Sequence, residues 1–169
     1  MSPQDYITAS IKNEIIKPTI DISTDYSEVA LDSLLDEGLL KDIPIIKTIV
    51  GFYNITQSIN SRYNIKKILT FFQYLHRGTI DATKHEQFLT KFNNDKEYQR
   101  KIVETIVILN ERFLEIEKSK IYANLIRSHI EGNLSWSELQ NISTILNNIN
   151  MAGLPFLEKM ARNNWSYHS

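Results

Sequence analysis

Asn94 to Ile116 reads NDKEYQRKIVETIVILNERFLEI, and its apolar positions Tyr98, Ile102, Ile106, Leu109, Phe113 and Ile116 recur at steps of four and three. A helix turning once every ~3.6 residues sets such positions on one face, whereas a strand alternates faces at every residue. The stretch therefore predicts the longest helix of the chain, with Asn94 and Glu97 as its cap and a break near Ser119. Val103, Val107 and Ile108 lie off the main stripe. A helix that is apolar on two sides needs two neighbours, which makes these three residues candidates for contact with a protein partner.

Working outward toward the C-terminus, Ile121, Tyr122, Leu125, Ile126 and Ile130 build a helix that ends at Gly132. Ser135 and Glu138 then form a capping box for a helix with Leu139, Ile142, Ile145, Leu146 and Ile149 turned inward. Gly153 and Pro155 punctuate a final short helix through Met160, and the polar tail NNWSYHS follows. Toward the N-terminus, a short helix runs from about Asp81 to Phe92. Arg62 to Arg77 forms another, with Ile65, Ile68, Leu69, Phe72 and Leu75 on one face and Gly78 as its C-terminal cap. His76-Arg77-Gly78-Thr79-Ile80-Asp81 and Ile130-Glu131-Gly132-Asn133-Leu134-Ser135 share one hairpin design. A common design and convergence on ordinary capping chemistry explain that match equally well.

The most apolar segment is DIPIIKTIVGFYNITQSIN, Asp42 to Asn60. Its polar exceptions Lys47, Gly51, Asn54 and Ser58 fall on one narrow stripe of a helical wheel, so a helix over 43–59 is expected at the centre of the bundle. Asp25 and Glu28 cap a preceding helix that carries Val29, Leu31, Leu34 and Leu35 and closes at Gly38. Ser2 and Pro3 open the first helix, which bears Ile7, Ile11 and Ile15 and ends before Pro18. The expected fold is all-α, a single-domain bundle of roughly seven to nine helices. Residues 1–24 form an N-terminal helix and linker, 25–162 the bundle and 163–169 a tail.

The chain has 169 residues, 42% of them hydrophobic and 23% charged, enough to bury a core without staples and too apolar for disorder. With no cysteine, disulfides, thiol nucleophiles and thiolate metal sites are excluded. A net charge of -1 offers no overall field to nucleic acid or anionic lipid. The basic faces Arg62, Lys66, Lys67, Arg77 and Lys96, Arg100, Lys101 read as solubilising charge, so no nucleic-acid partner is expected. The first 21 residues scatter Asp5, Lys12, Glu14 and Lys17, unlike a signal peptide, and a cytoplasmic location is expected.

Motifs for catalysis or metal binding do not emerge. His76, His85, His129 and His168 are never three or four residues apart, so no pair presents two metal ligands on one helix face. His129 reads as a hydrogen-bonded histidine at a packing boundary. The acidic rows Glu28, Asp32, Asp36 and Glu111, Glu115 read as solvated faces. No catalytic residue, cofactor or metal is therefore assigned. Trp136 and Trp165 stand in polar settings where tryptophan often anchors a partner, although Trp136 also suits a staple across its hairpin.

Leu31-Asp32-Ser33-Leu34-Leu35-Asp36-Glu37-Gly38-Leu39-Leu40-Lys41-Asp42-Ile43-Pro44, followed by Ile49-Val50-Gly51, resembles a loosely defined group of small, uncharacterised bacterial helical proteins. The likeness covers about Leu31 to Leu146 and implies a bacterial, cytosolic helical protein without an assigned activity. The Gly78 and Gly132 hairpins are also similar to TerB-like tellurite-resistance domains. Those domains carry acidic residues before the glycine where Arg77 stands here, so no metal role is carried over.

These readings lead to a non-enzymatic interaction domain that presents helix faces to a protein partner or to a second copy of itself. The alternative is a membrane-active effector that exposes Leu39 to Ile59. A small-molecule-binding bundle would require a cavity lined by convergent polar groups.

Overall fold

A computed structural model describes residues 3–16, 59–77 and 80–162. All regular structure among them is helical: α1 (Pro3–Ile16), α2 (Ile59–Leu75), α3 (Ala82–Asn94), α4 (Lys96–Arg112), α5 (Ile116–Ile130), α6 (Trp136–Asn148), a 3₁₀ turn (Met151–Gly153) and α7 (Leu154–Arg162). The all-α expectation holds. The segment expected at the centre, 43–59 with its polar stripe Lys47, Gly51, Asn54 and Ser58, lies outside the described residues except for Ile59, which opens α2. The helix expected over 25–38, the Gly78 cap and the tail with Trp165 lie outside them as well.

Within the described core, α2 and α5 lie along one another, and α2 also rests on α4. Ile65, Ile68, Phe71, Phe72 and Leu75 of α2 are buried, as are Tyr122, Ala123, Ile126 and Ile130 of α5. Full burial of an aliphatic or aromatic side chain contributes about 1.5–3 kcal/mol, so this seam supplies much of the cohesion. Phe71 meets Tyr122 with ring centroids 5.5 Å apart, and Phe113 meets the same tyrosine edge-on at 5.8 Å.

α4 has neighbours on several sides, α1, α2, α3 and α6. Ile11 and Ile15 of α1 are buried in the same core as Ile102, Val103 and Ile106 of α4, so the N-terminal helix shares the interior of the bundle. This answers the two-sided apolarity of α4: its second apolar side is covered from within the chain. Val103 is 1% exposed and therefore core, Val107 is half-buried against that core, and only Ile108 is open to solvent.

Both boundaries of α4 differ from the sequence reading, and α2 spans Ile59–Leu75 where Arg62 to Arg77 was expected. The cap of α4 is Asp95, whose carboxylate accepts the Tyr98 N–H at 2.9 Å, while Asn94 ends α3. A carboxylate one residue nearer the helix serves better, because it reaches the N3 amide from an extended backbone. The break after α4 falls at Phe113, which is extended (φ -61, ψ 129), and Ser119 is buried inside α5. Phe113 and Ile116 thus belong to the break and to the next helix, not to one continuous stripe.

The cause of the break lies on α2. Lys67, read as solubilising charge, is 2% exposed and donates from Nζ to the carbonyls of Glu111 at 2.9 Å and Phe113 at 2.7 Å. Helix C-termini leave carbonyls without intrahelical partners, and an ammonium is well suited to receive them. Burial pushes the Lys67 pKa down and the Glu111 charge opposes that shift.

The turn between α5 and α6 follows expectation. Gly132 adopts φ 75, and the amides of Gly132 and Asn133 return to the carbonyls of His129 and Ser128 at 3.0 and 2.9 Å. Ser135 and Glu138 form the capping box, the serine hydroxyl accepting the Glu138 N–H and the Glu138 carboxylate accepting the Ser135 N–H. On α6 itself, Leu139, Ser143 and Leu146 are buried, whereas Ile142 and Ile145, expected inward, are 36% and 63% exposed.

Candidate functional site

α3 turns a single stripe, Lys84, Gln87, Phe88 and Lys91, toward the α5–α6 turn, the i, i+3, i+4, i+7 set that shares one helix face. Asp81 holds the start of α3 by accepting the Lys84 N–H at 3.0 Å. Between α3 and the turn lies a cleft of about 680 Å³, in whose lining Tyr98 and His129 meet.

The Tyr98 hydroxyl and His129 Nε2 are 2.5 Å apart, and His129 Nδ1 is 2.7 Å from the Leu134 carbonyl. A carbonyl only accepts, so Nδ1 carries the proton and Nε2 accepts the Tyr98 O–H. Burial lowers the His129 pKa; the Leu134 hydrogen bond opposes this, and the Lys91 ammonium adds to it. Burial pushes the Tyr98 hydroxyl up to about 12, with the Asp95 carboxylate adding to the effect. The imidazole is thus neutral with both nitrogens occupied inside the chain. It ties α4, α5 and the entry to α6 together, and neither nitrogen is available as a base or ligand while the link holds.

Trp136 closes this cluster, with its ring 5.7 Å from His129 and 6.0 Å from Tyr98 between centroids. Phe88 stands 6.3 Å from both Tyr98 and His129. Trp136 is therefore a half-buried staple across the hairpin, packed against the core. Of the residues expected to meet a partner, Ile108 alone is exposed among those described, at 43%. No group of three or more His, Asp or Glu side chains among the described residues is arranged to hold a metal ion. Glu115 pairs with Lys118 at 3.4 Å instead of lining up with Glu111.

The exposed apolar residues lie elsewhere. On α7, Leu154, Phe156, Leu157 and Met160 occupy one side of the helix and Glu158, Lys159 and Arg162 the other, yet none of its residues is buried. Phe156 is 65% exposed and Leu157 48%. With Ile142 and Ile145 on α6, they leave the last two helices with uncovered apolar faces. The division of α7 was legible in its sequence; the exposure of α6 was not, because five apolar positions on one helix do not say how many its neighbours will cover.

The class of protein these features define is an all-helical bundle with an aromatic-lined cleft and an exposed amphipathic end. No protein-family model matches the chain, and no curated protein or solved structure matches it.

Proposed function

We propose that this chain is a non-enzymatic helical interaction domain, of the bacterial, cytosolic kind that the Leu31 to Pro44 resemblance implies. It docks a protein partner, in the first instance a second copy of itself, through the uncovered faces of α6 and α7. The observation that carries the reading is α7: a helix with cleanly separated apolar and charged sides that buries no residue in its own bundle. Exposed apolar side chains in a group mark contact surfaces more often than isolated ones do.

Light scattering coupled to size exclusion tests it. The unmodified chain should exceed monomer mass, and Ile145→Asp with Phe156→Asp should return it to monomer without loss of helicity, since both positions are exposed. A strict monomer at every concentration defeats self-association. The membrane-active alternative rests on Leu39 to Ile59, which, apart from Ile59, lies outside the described residues. Among the described residues no helix is long and apolar enough to cross a membrane. Flotation with liposomes at neutral and acidic pH would favour that alternative, and indifference to them would end it.

A further inference from the structure

From Leu139 to Leu157 no residue carries an ionisable side chain, although charged residues make up 23% of the chain. This stretch is not simply interior. Asn141, Thr144, Ile145 and Asn148 fall at the i, i+3, i+4, i+7 spacing that shares one helix face, and all four are exposed. The solvent-facing sides of earlier helices are charged instead. On α3 they show Lys84, Glu86 and Lys91; on α4, Arg100 pairs with Glu104 at 3.1 Å and Lys101 with Glu97 at 2.7 Å. Lys118, which donates to the Asn147 carbonyl at 3.1 Å, is only 4% exposed and leaves the outer face of α6 neutral.

Depletion of charge marks the centre of protein interfaces, whereas overall apolarity does not. It also selects the partner. In a two-fold contact a patch meets its own copy, so a charge near the axis faces a like charge at a cost in affinity. A neutral face escapes that repulsion, and asparagine side chains, which both donate and accept, are complementary to themselves. We infer that the Asn141, Thr144, Ile145 and Asn148 face of α6 is the two-fold seam between two copies of this chain. An axis across the middle of α6 sets the two helices antiparallel, so that Asn141 meets Asn148 of the partner subunit and Thr144 and Ile145 lie at the centre. The inference rests on the reading of α6 and α7 as a docking surface, and adds to it the symmetry of the contact and its central residues.

Charge exchange at Thr144 tests it on the full chain, by light scattering coupled to size exclusion. Thr144→Lys and Thr144→Glu each set like charges together at the seam and should each weaken self-association at least about tenfold. Helicity by circular dichroism should be unchanged, because the position is exposed. An equimolar mixture of the two variants should return to dimer mass. The double variant Asn141→Glu, Asn148→Lys should stay dimeric, since antiparallel pairing brings its opposite charges together. Dimers that persist in both Thr144 variants, loss with one sign of charge only, a mixture that stays monomeric, or assembly beyond the dimer would each overturn the seam while leaving the docking reading standing. A strict monomer of the unmodified chain would remove both.

Discussion

Replacing Lys67 by methionine removes the ammonium while keeping a straight side chain in the same channel. Two hydrogen bonds vanish, to the Glu111 and Phe113 carbonyls at 2.9 and 2.7 Å. Bonds with a charged partner contribute about 1.5–3 kcal/mol each, a gross loss of roughly 3–6 kcal/mol. Against this, an ammonium that is 2% exposed no longer has to be desolvated, which returns several kcal/mol. The carbonyls left without a donor tip the balance, and a net destabilisation of about 2 kcal/mol is expected. Urea unfolding followed by circular dichroism at neutral pH measures it, with a lower midpoint and an unchanged slope as the signature. Hydrogen exchange should also quicken at the Phe113 amide, which donates to Leu109 at the break. A variant as stable as the parent, or more stable, would refute the argument that Lys67 holds the end of α4.

Two further outcomes follow from the α5–α6 hairpin. His129 has a native pKa below its ordinary 6.5, so the unfolded chain takes up the proton first; its contribution is present above about pH 6.5 and lost as pH falls through the native value. Tyr98 works in the opposite sense: its hydroxyl keeps its proton to about 12 instead of 10.0, so its contribution is present below pH 10 and lost through about 12. Unfolding free energies measured across both windows should show the two slopes, and His129→Gln should shrink the acid one. At the turn, Gly132→Ala should cost about 1 kcal/mol through its φ of 75 alone, because an added Cβ meets nothing within 4 Å. A loss several times larger in thermal unfolding would mean that the turn is packed, not merely strained.

Local chemistry was legible in the sequence because it acts over three or four residues. The capping box at Ser135 and Glu138 and the left-handed Gly132 depend on neighbours along the chain, so the α5–α6 hairpin could be read directly. His129 was legible as a hydrogen-bonded boundary residue, although its partners Tyr98 and Leu134 were not: one lies 31 residues away and the other is a backbone carbonyl. Lys84 and Lys91 gave no signal as a pair, because only the approach of the α5–α6 turn to α3 makes their shared face into a wall.

Periodicity alone determined that the described chain is helical, and capping chemistry determined where α3 and α6 begin. Which apolar residues are interior was decided by the tertiary structure. Val103 is core because α4 is enclosed by its neighbours, among them α1, while Ile145 is exposed because no described helix covers that side of α6. The end of α4 was decided in the same way, by an ammonium from α2 that satisfies its last carbonyls. A helical stripe records which side chains point together; only the positions of the other helices determine whether water or protein meets them.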